Sequence, residues 1–129
     1  MKRNSLITAS LIFLAFTAIL HLYAVAFYVY WSLPWFDIIV HGLGGIAVGF
    51  FALWIDTPLD QEFASPFSLS SLIIVLGGTL FIGLLWELFE YSFGITSLAS
   101  ANFLPDTLRD LAMDIIGGIL SLLYIGFKK

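Results

Sequence analysis

Phe36-Asp37-Ile38-Ile39-Val40-His41-Gly42-Leu43-Gly44-Gly45-Ile46-Ala47-Val48-Gly49-Phe50-Phe51-Ala52-Leu53-Trp54-Ile55 is the stretch that decides the fold. A helix needs about 20 mainly apolar residues to cross the hydrocarbon core of a bilayer, and this run has that length. It opens, however, on an aspartate and a histidine one helical turn apart, and both are costly in lipid. The stripe then continues through Gly45 and Gly49, a GxxxG spacing that lets a second helix approach closely.

Three further runs have the same character. Residues 6–31 are apolar and end before Pro34, which blocks continuation of the helix. Residues 69–93 follow a polar, proline-containing loop from Asp56 through Asp60 to Glu62. After a mixed stretch from Gly94 to Leu104, Pro105 and Asp106 suit a helix start, and the last run covers 106–127. The chain of 129 residues is 60% hydrophobic and only 11% charged, with a mean hydropathy of +1.03. That leaves too little polar surface to face water on every side, and the bilayer is the solvent that fits. The expected fold is all-α, a polytopic membrane protein forming one up-down bundle of four transmembrane helices. Lys2-Arg3, the apolar run and Ala24-Val25-Ala26 also have the shape of a signal peptide. The apolar run continues through Phe27 to Trp31, which favours a membrane span.

Lys2, Arg3, Lys128 and Lys129 account for four of the five basic residues and flank the first and last runs. The positive-inside rule therefore expects both termini in the cytoplasm and a multi-pass protein of the inner membrane. Trp31, Trp35 and Trp86 then fall near the outer interface. Cysteine is absent, which removes disulfides and thiolate chemistry. The net charge of −4 excludes a basic surface for nucleic acid.

Six acids gather at the expected outer end: Asp37, Glu87, Glu90, Asp106, Asp110 and Asp114. Arg109 is the one cation among them, and His41 joins them. His41, Glu87 and Asp114 lie on the order of 10 Å below the interface at helical rise. Residues four apart share a face, so Asp106, Asp110, Asp114 and Gly118 form one stripe and Gly83 and Glu87 another. Glycine stripes face neighbouring helices and turn the acids inward. So many inward acids require protons, water or a cation. Carboxylates with one imidazole suit a divalent ion, Mg²⁺, Mn²⁺ or Zn²⁺. The candidate ligands are Asp37, His41, Glu87, Glu90, Asp110 and Asp114. His41 and Glu87 are candidates for acid–base work, and Arg109 for holding a phosphate or carboxylate. His21, in the middle of the first span, reads as a packing residue.

At these residues the chain resembles the YjdF-type family of small bacterial membrane proteins. The likeness rests on Asp37-x-x-x-His41 with Gly44 and Gly49-Phe50, on Trp86-Glu87-Leu88-Phe89-Glu90-Tyr91, and on Asp106-x-x-x-Asp110-x-x-x-Asp114-x-x-Gly117. A fainter likeness is to VanZ-like proteins. The YjdF resemblance implies the same residue list and no particular reaction. The functional expectation is a divalent-cation site near the outer membrane face, serving a metal-dependent hydrolase or transferase that acts on a phosphorylated or lipid-linked substrate. The alternatives are a cation or proton carrier, or an accessory subunit within a homo-oligomer or larger membrane complex.

Overall fold

The computed structural model describes residues 1–59, 62–63, 65–95 and 102–128; Asp60, Ser97 and Lys129 lie outside them. Five helices follow one another: α1 (Arg3–Ala26), the single turn α2 (Val29–Ser32), α3 (Phe36–Asp56), α4 (Leu69–Ser92) and α5 (Phe103–Phe127). The four long ones are each long and apolar enough to cross a membrane. Leucine, isoleucine and phenylalanine side chains such as Leu11, Ile12, Ile73, Phe81 and Leu88 stand exposed around the outside. A surface of that kind is stable only against lipid.

The helix α3 is the hub, packed against α1, α4 and α5. Its closest partner is α5, and glycine is the reason. A Cβ on Gly45 would collide with the backbone of Asp114, and one on Gly117 with the backbone of Gly42 and Ile46. The two helices therefore meet backbone to backbone, as small residues permit in a membrane. At one end of the bundle the interior is apolar, built from Leu6, Phe50, Leu53, Phe63, Val75, Leu122 and Ile125. The chain termini belong to this end. Arg3 donates from Nε to the Thr57 carbonyl at 3.0 Å and lies 4.3 Å above the Trp54 ring. Asp56 accepts from Ser70 and Ser71 at 2.9 and 2.8 Å, anchoring the start of α4.

Two helix boundaries differ from the sequence expectation. The first run does not continue to Trp31 as one helix. Tyr28 adopts a left-handed backbone, φ 57°, which breaks α1 after Ala26 and redirects the chain into α2. For a tyrosine this conformation is strained by roughly 1–2 kcal/mol, and its result is that Tyr30 reaches back to bond His21. At the other end, α5 begins two residues before Pro105. Proline fits there because the first N–H groups of a helix have no partner within it. At the end of α4, Gly94 takes φ 71°. That turn lets the Ile95 N–H donate to the Glu90 carbonyl at 2.9 Å, a glycine C-terminal stop.

Candidate metal centre

Opposite the apolar end, the interior is acidic. His41, one turn below Asp37 on α3, is 3% exposed and stands at its centre. Its Nδ1 lies 3.2 Å from both carboxylate oxygens of Asp114 on α5. Its Nε2 faces Asp37 Oδ1 at 3.7 Å and Glu87 Oε1 at 3.6 Å. Glu90, one turn above Glu87 on α4, is buried beside them. The ligand atoms of Asp37, His41 and Asp110 lie within 4.8 Å of one another, and so do those of His41, Glu87 and Glu90. These are two buried groups able to coordinate a metal ion, and they share one imidazole.

The hydrogen bonds around this centre stop short of satisfying it. Thr107 donates to Glu87 Oε2 at 2.9 Å. Arg109 pairs with Asp106 through Nη2 and with Asp110 through Nε. Yet Asp37 Oδ1, His41 Nε2, Glu87 Oε1 and Glu90 Oε1 are buried with no hydrogen-bond partner among the described residues. The separations at Nε2 are too long for hydrogen bonds. In the neutral tautomer whose Nδ1 proton is directed at Asp114, Nε2 presents a lone pair to carboxylate oxygens that are themselves acceptors. Nε2 in that form and the carboxylate oxygens grouped about it have no donor among the described residues. Unpaired buried polar atoms of this kind are costly, and more so when charged.

The spacing suits a cation. Two ligands each about 2.1 Å from a tetrahedral ion lie about 3.4 Å apart, close to the 3.6 and 3.7 Å observed at Nε2. A histidine ligand that offers one ring nitrogen to the ion and the other to a carboxylate is the usual arrangement around protein-bound metals.

Every residue singled out from sequence lies in or at the edge of this centre, although their positions differ in kind. Asp37, His41, Glu87, Glu90 and Asp110 contribute to the convergent groups. Asp114 meets the far side of the His41 ring. Arg109 and Asp106 stand at the rim of a cavity of about 300 Å³, also lined by Tyr30, Asp37, Glu90 and Thr107. Tyr30 and Thr107 were not among the candidates. Thr107 had a legible signal, because 107, 110 and 114 are spaced by three and four along one helix face. Tyr30 had none, since it arrives through the irregular turn at Tyr28. Burial, reinforced by Asp37, Glu90 and Asp110, pushes its phenol above the ordinary tyrosine range, so it stays a neutral hydroxyl. His21 keeps its packing role: it sits 2.8 Å from the Tyr30 hydroxyl and edge-on to Trp86 at 4.7 Å.

The chain belongs to the family described as "Predicted membrane protein (DUF2238)", whose family model matches residues 1–129. No curated protein and no solved structure matches it.

Proposed function

We propose that this DUF2238 member is a metal-dependent membrane hydrolase or transferase, its divalent ion held by His41 Nε2, Asp37, Glu87 and Glu90. The reading rests on one observation: four buried polar atoms on α3 and α4, gathered about His41, have no hydrogen-bond partner among the described residues. Asp110 stands near enough to complete the ligand set. Asp114 orients the imidazole through Nδ1 and keeps Nε2 free for the ion. Thr107 fixes the second oxygen of Glu87, leaving Oε1 for coordination. One imidazole with several carboxylates suits Mn²⁺ or Zn²⁺, and Mg²⁺ if water supplies the remaining positions.

A bound divalent ion supplies Lewis acidity and an activated water, which suit attack on a phosphoryl group. Around it, Arg109 at the rim offers a cation for an anionic substrate, and Tyr30 and Thr107 offer hydroxyl donors to the same cavity. Glu90 and Asp37 line both the centre and the cavity, where a carboxylate can accept a proton from an attacking water. In its finer form the family reading is the YjdF type. A carrier needs a polar path through the membrane. Here Leu53, Val75, Leu122 and Ile125 fill the interior beyond the glycine contacts.

The direct test is metal analysis of protein purified in mild detergent. One or more equivalents of a divalent metal should co-purify, be removed by chelator, and rebind with micromolar or tighter affinity. Metal-free protein that rebinds none of Mg²⁺, Mn²⁺ and Zn²⁺ would exclude the reading and leave an accessory-subunit role in first place.

The same proposal places the centre near the outer face of a bacterial inner membrane, with both termini cytoplasmic. Reporter fusions should be active on the cytoplasmic side at the C-terminus and on the outer side between α4 and α5. An external C-terminus would invert the site to the inner face.

A further inference from the structure

Among the described residues, an opening between the long helices reaches the centre from the side. Helices α1 and α4 both pack on α3, yet they make no close backbone approach to each other among the described residues. Between them runs a slot of about 90 Å³. Leu14 and Thr17 of α1 form one wall, and Ile82 and Trp86 of α4 form the other. The floor is Gly44 and Val48 of α3. A Cβ placed on Gly44 would meet nothing nearer than Thr17 Cγ2 at 3.8 Å, so the missing side chain is part of the opening. One turn beyond Thr17 on α1, His21 bridges to Trp86 and Phe89 of α4. At its inner end stand His41 and Asp114.

The position of this slot says what covers it. Leu14 falls at the middle of α1, and helical rise places it near the centre of the bilayer. Leu14 and Ile82 at the mouth are 53% and 42% exposed on the lipid-facing surface. At that depth a bilayer surrounds the mouth with acyl chains. The slot is too narrow for a packed helix, which is about 10 Å across, but a cavity of this size takes a short segment of one chain. On the opposite side of the His41 and Glu90 cluster lies the polar rim cavity with Arg109, Tyr30 and Thr107. The centre thus separates an apolar seat from a polar one.

We infer that the substrate is a membrane amphiphile, a lipid phosphate that enters sideways between α1 and α4 with one apolar chain in the slot and its phosphate at the slot's His41 end, where the metal centre divides it from the polar rim. This rests on the metal reading above. Entry from the bilayer spares the lipid the cost of leaving it, about 0.8 kcal/mol per methylene. It also brings the phosphate ester to the boundary between the two seats, where His41, Asp37 and Glu87 converge.

The test uses the full chain in detergent micelles, with Trp31, Trp35 and Trp54 changed to phenylalanine so that Trp86 alone reports. Phosphatidic acid with brominated chains is added in small mole fractions. Quenching of Trp86 should saturate well below the level at which random contact in the micelle quenches it. A companion protein retaining only Trp35, which is 54% exposed, should be quenched only in proportion to mole fraction. Val48→Phe, and separately Leu14→Phe from the other wall, should weaken the saturable phase about tenfold or more while preserving the shift in melting temperature caused by metal. Proportional quenching of Trp86 in the parent protein would overturn the inference whatever the variants do. So would saturation unaffected by both substitutions, saturation equal for brominated phosphatidylcholine, or equally tight competition by glycerol phosphate, which has no chain. If metal still shifts the melt while any of these occurs, the lateral seat is wrong and the metal centre stands. If no metal shift is found, the underlying reading falls.

Discussion

Replacing Glu90 by glutamine is expected to move thermal stability in opposite directions depending on metal. In chelator, Glu90→Gln should melt above the wild type. The wild-type carboxyl is 1% exposed, one of its oxygens is unpartnered, and other carboxylates crowd it. An acid buried there must either take up a proton or stay an uncompensated charge, and replacing it by a neutral amide removes that cost. With saturating Mn²⁺ or Zn²⁺ the order should reverse. A ligand that binds only the folded protein stabilises it by about 2.7 kcal/mol at a hundredfold excess over Kd, on the order of 10 °C for a chain of this length. The wild type should gain this in full. Glu90→Gln should gain much less, since affinity for a divalent ion follows the charge of its ligands and an amide oxygen carries none. Glu87→Gln should behave likewise while keeping its bond from Thr107. Asp114→Asn should also respond weakly to metal, but for another reason: it loosens the Nδ1 contact that aims the imidazole. Parallel melts of the wild type and the three variants, with chelator and with each metal, decide the matter. If the curves keep the same order in both conditions, the acids at the centre are not metal ligands.

Gly45→Leu is expected to be the most damaging single change away from the centre, and even Gly45→Ala should destabilise strongly. The new Cβ would fall on the carbonyl, Cα and carbonyl carbon of Asp114, all backbone atoms of α5. No rotamer change can relieve that contact; α3 and α5 must move apart. Overpacking typically costs about 1–3 kcal/mol, and a backbone collision belongs at or beyond the upper end. The separation of the two helices also pulls Asp114 from His41, so metal should no longer restore the melt. Gly118→Leu, which meets the Thr79 and Val75 side chains at 2.7 and 3.1 Å, should be milder, because side chains can yield. Gly77→Ala is the control, with nothing within 4 Å of its Cβ position. A wild-type melt for Gly45→Leu would show that α3 and α5 do not touch at this point.

Much of this protein is legible in its sequence, because a bilayer imposes simple rules. Apolar length alone fixes four spans, since backbone groups in lipid must be satisfied within helices. Helical periodicity then places Asp37 with His41, Glu87 with Gly83, and Asp110 with Asp114 on inward faces, because charge and glycine both avoid lipid. Family membership over residues 1–129 agrees with a small membrane protein. What periodicity cannot express is contact between helices. That Asp114 takes Nδ1 of His41 while Asp37 and Glu87 face Nε2 depends on how far α5 is rotated and slid against α3. Those parameters come from Gly45 and Gly117 meeting backbone, a long-range event that local spacing does not encode. Tyr30 enters the cavity through a left-handed tyrosine at position 28, a conformation that no residue preference announces and that tertiary packing alone sustains. The gap between α1 and α4 is likewise a property of the assembled bundle. The one-dimensional pattern determined which residues must be buried together; only the packing of α3 against its three neighbours decided which atom of each faces which.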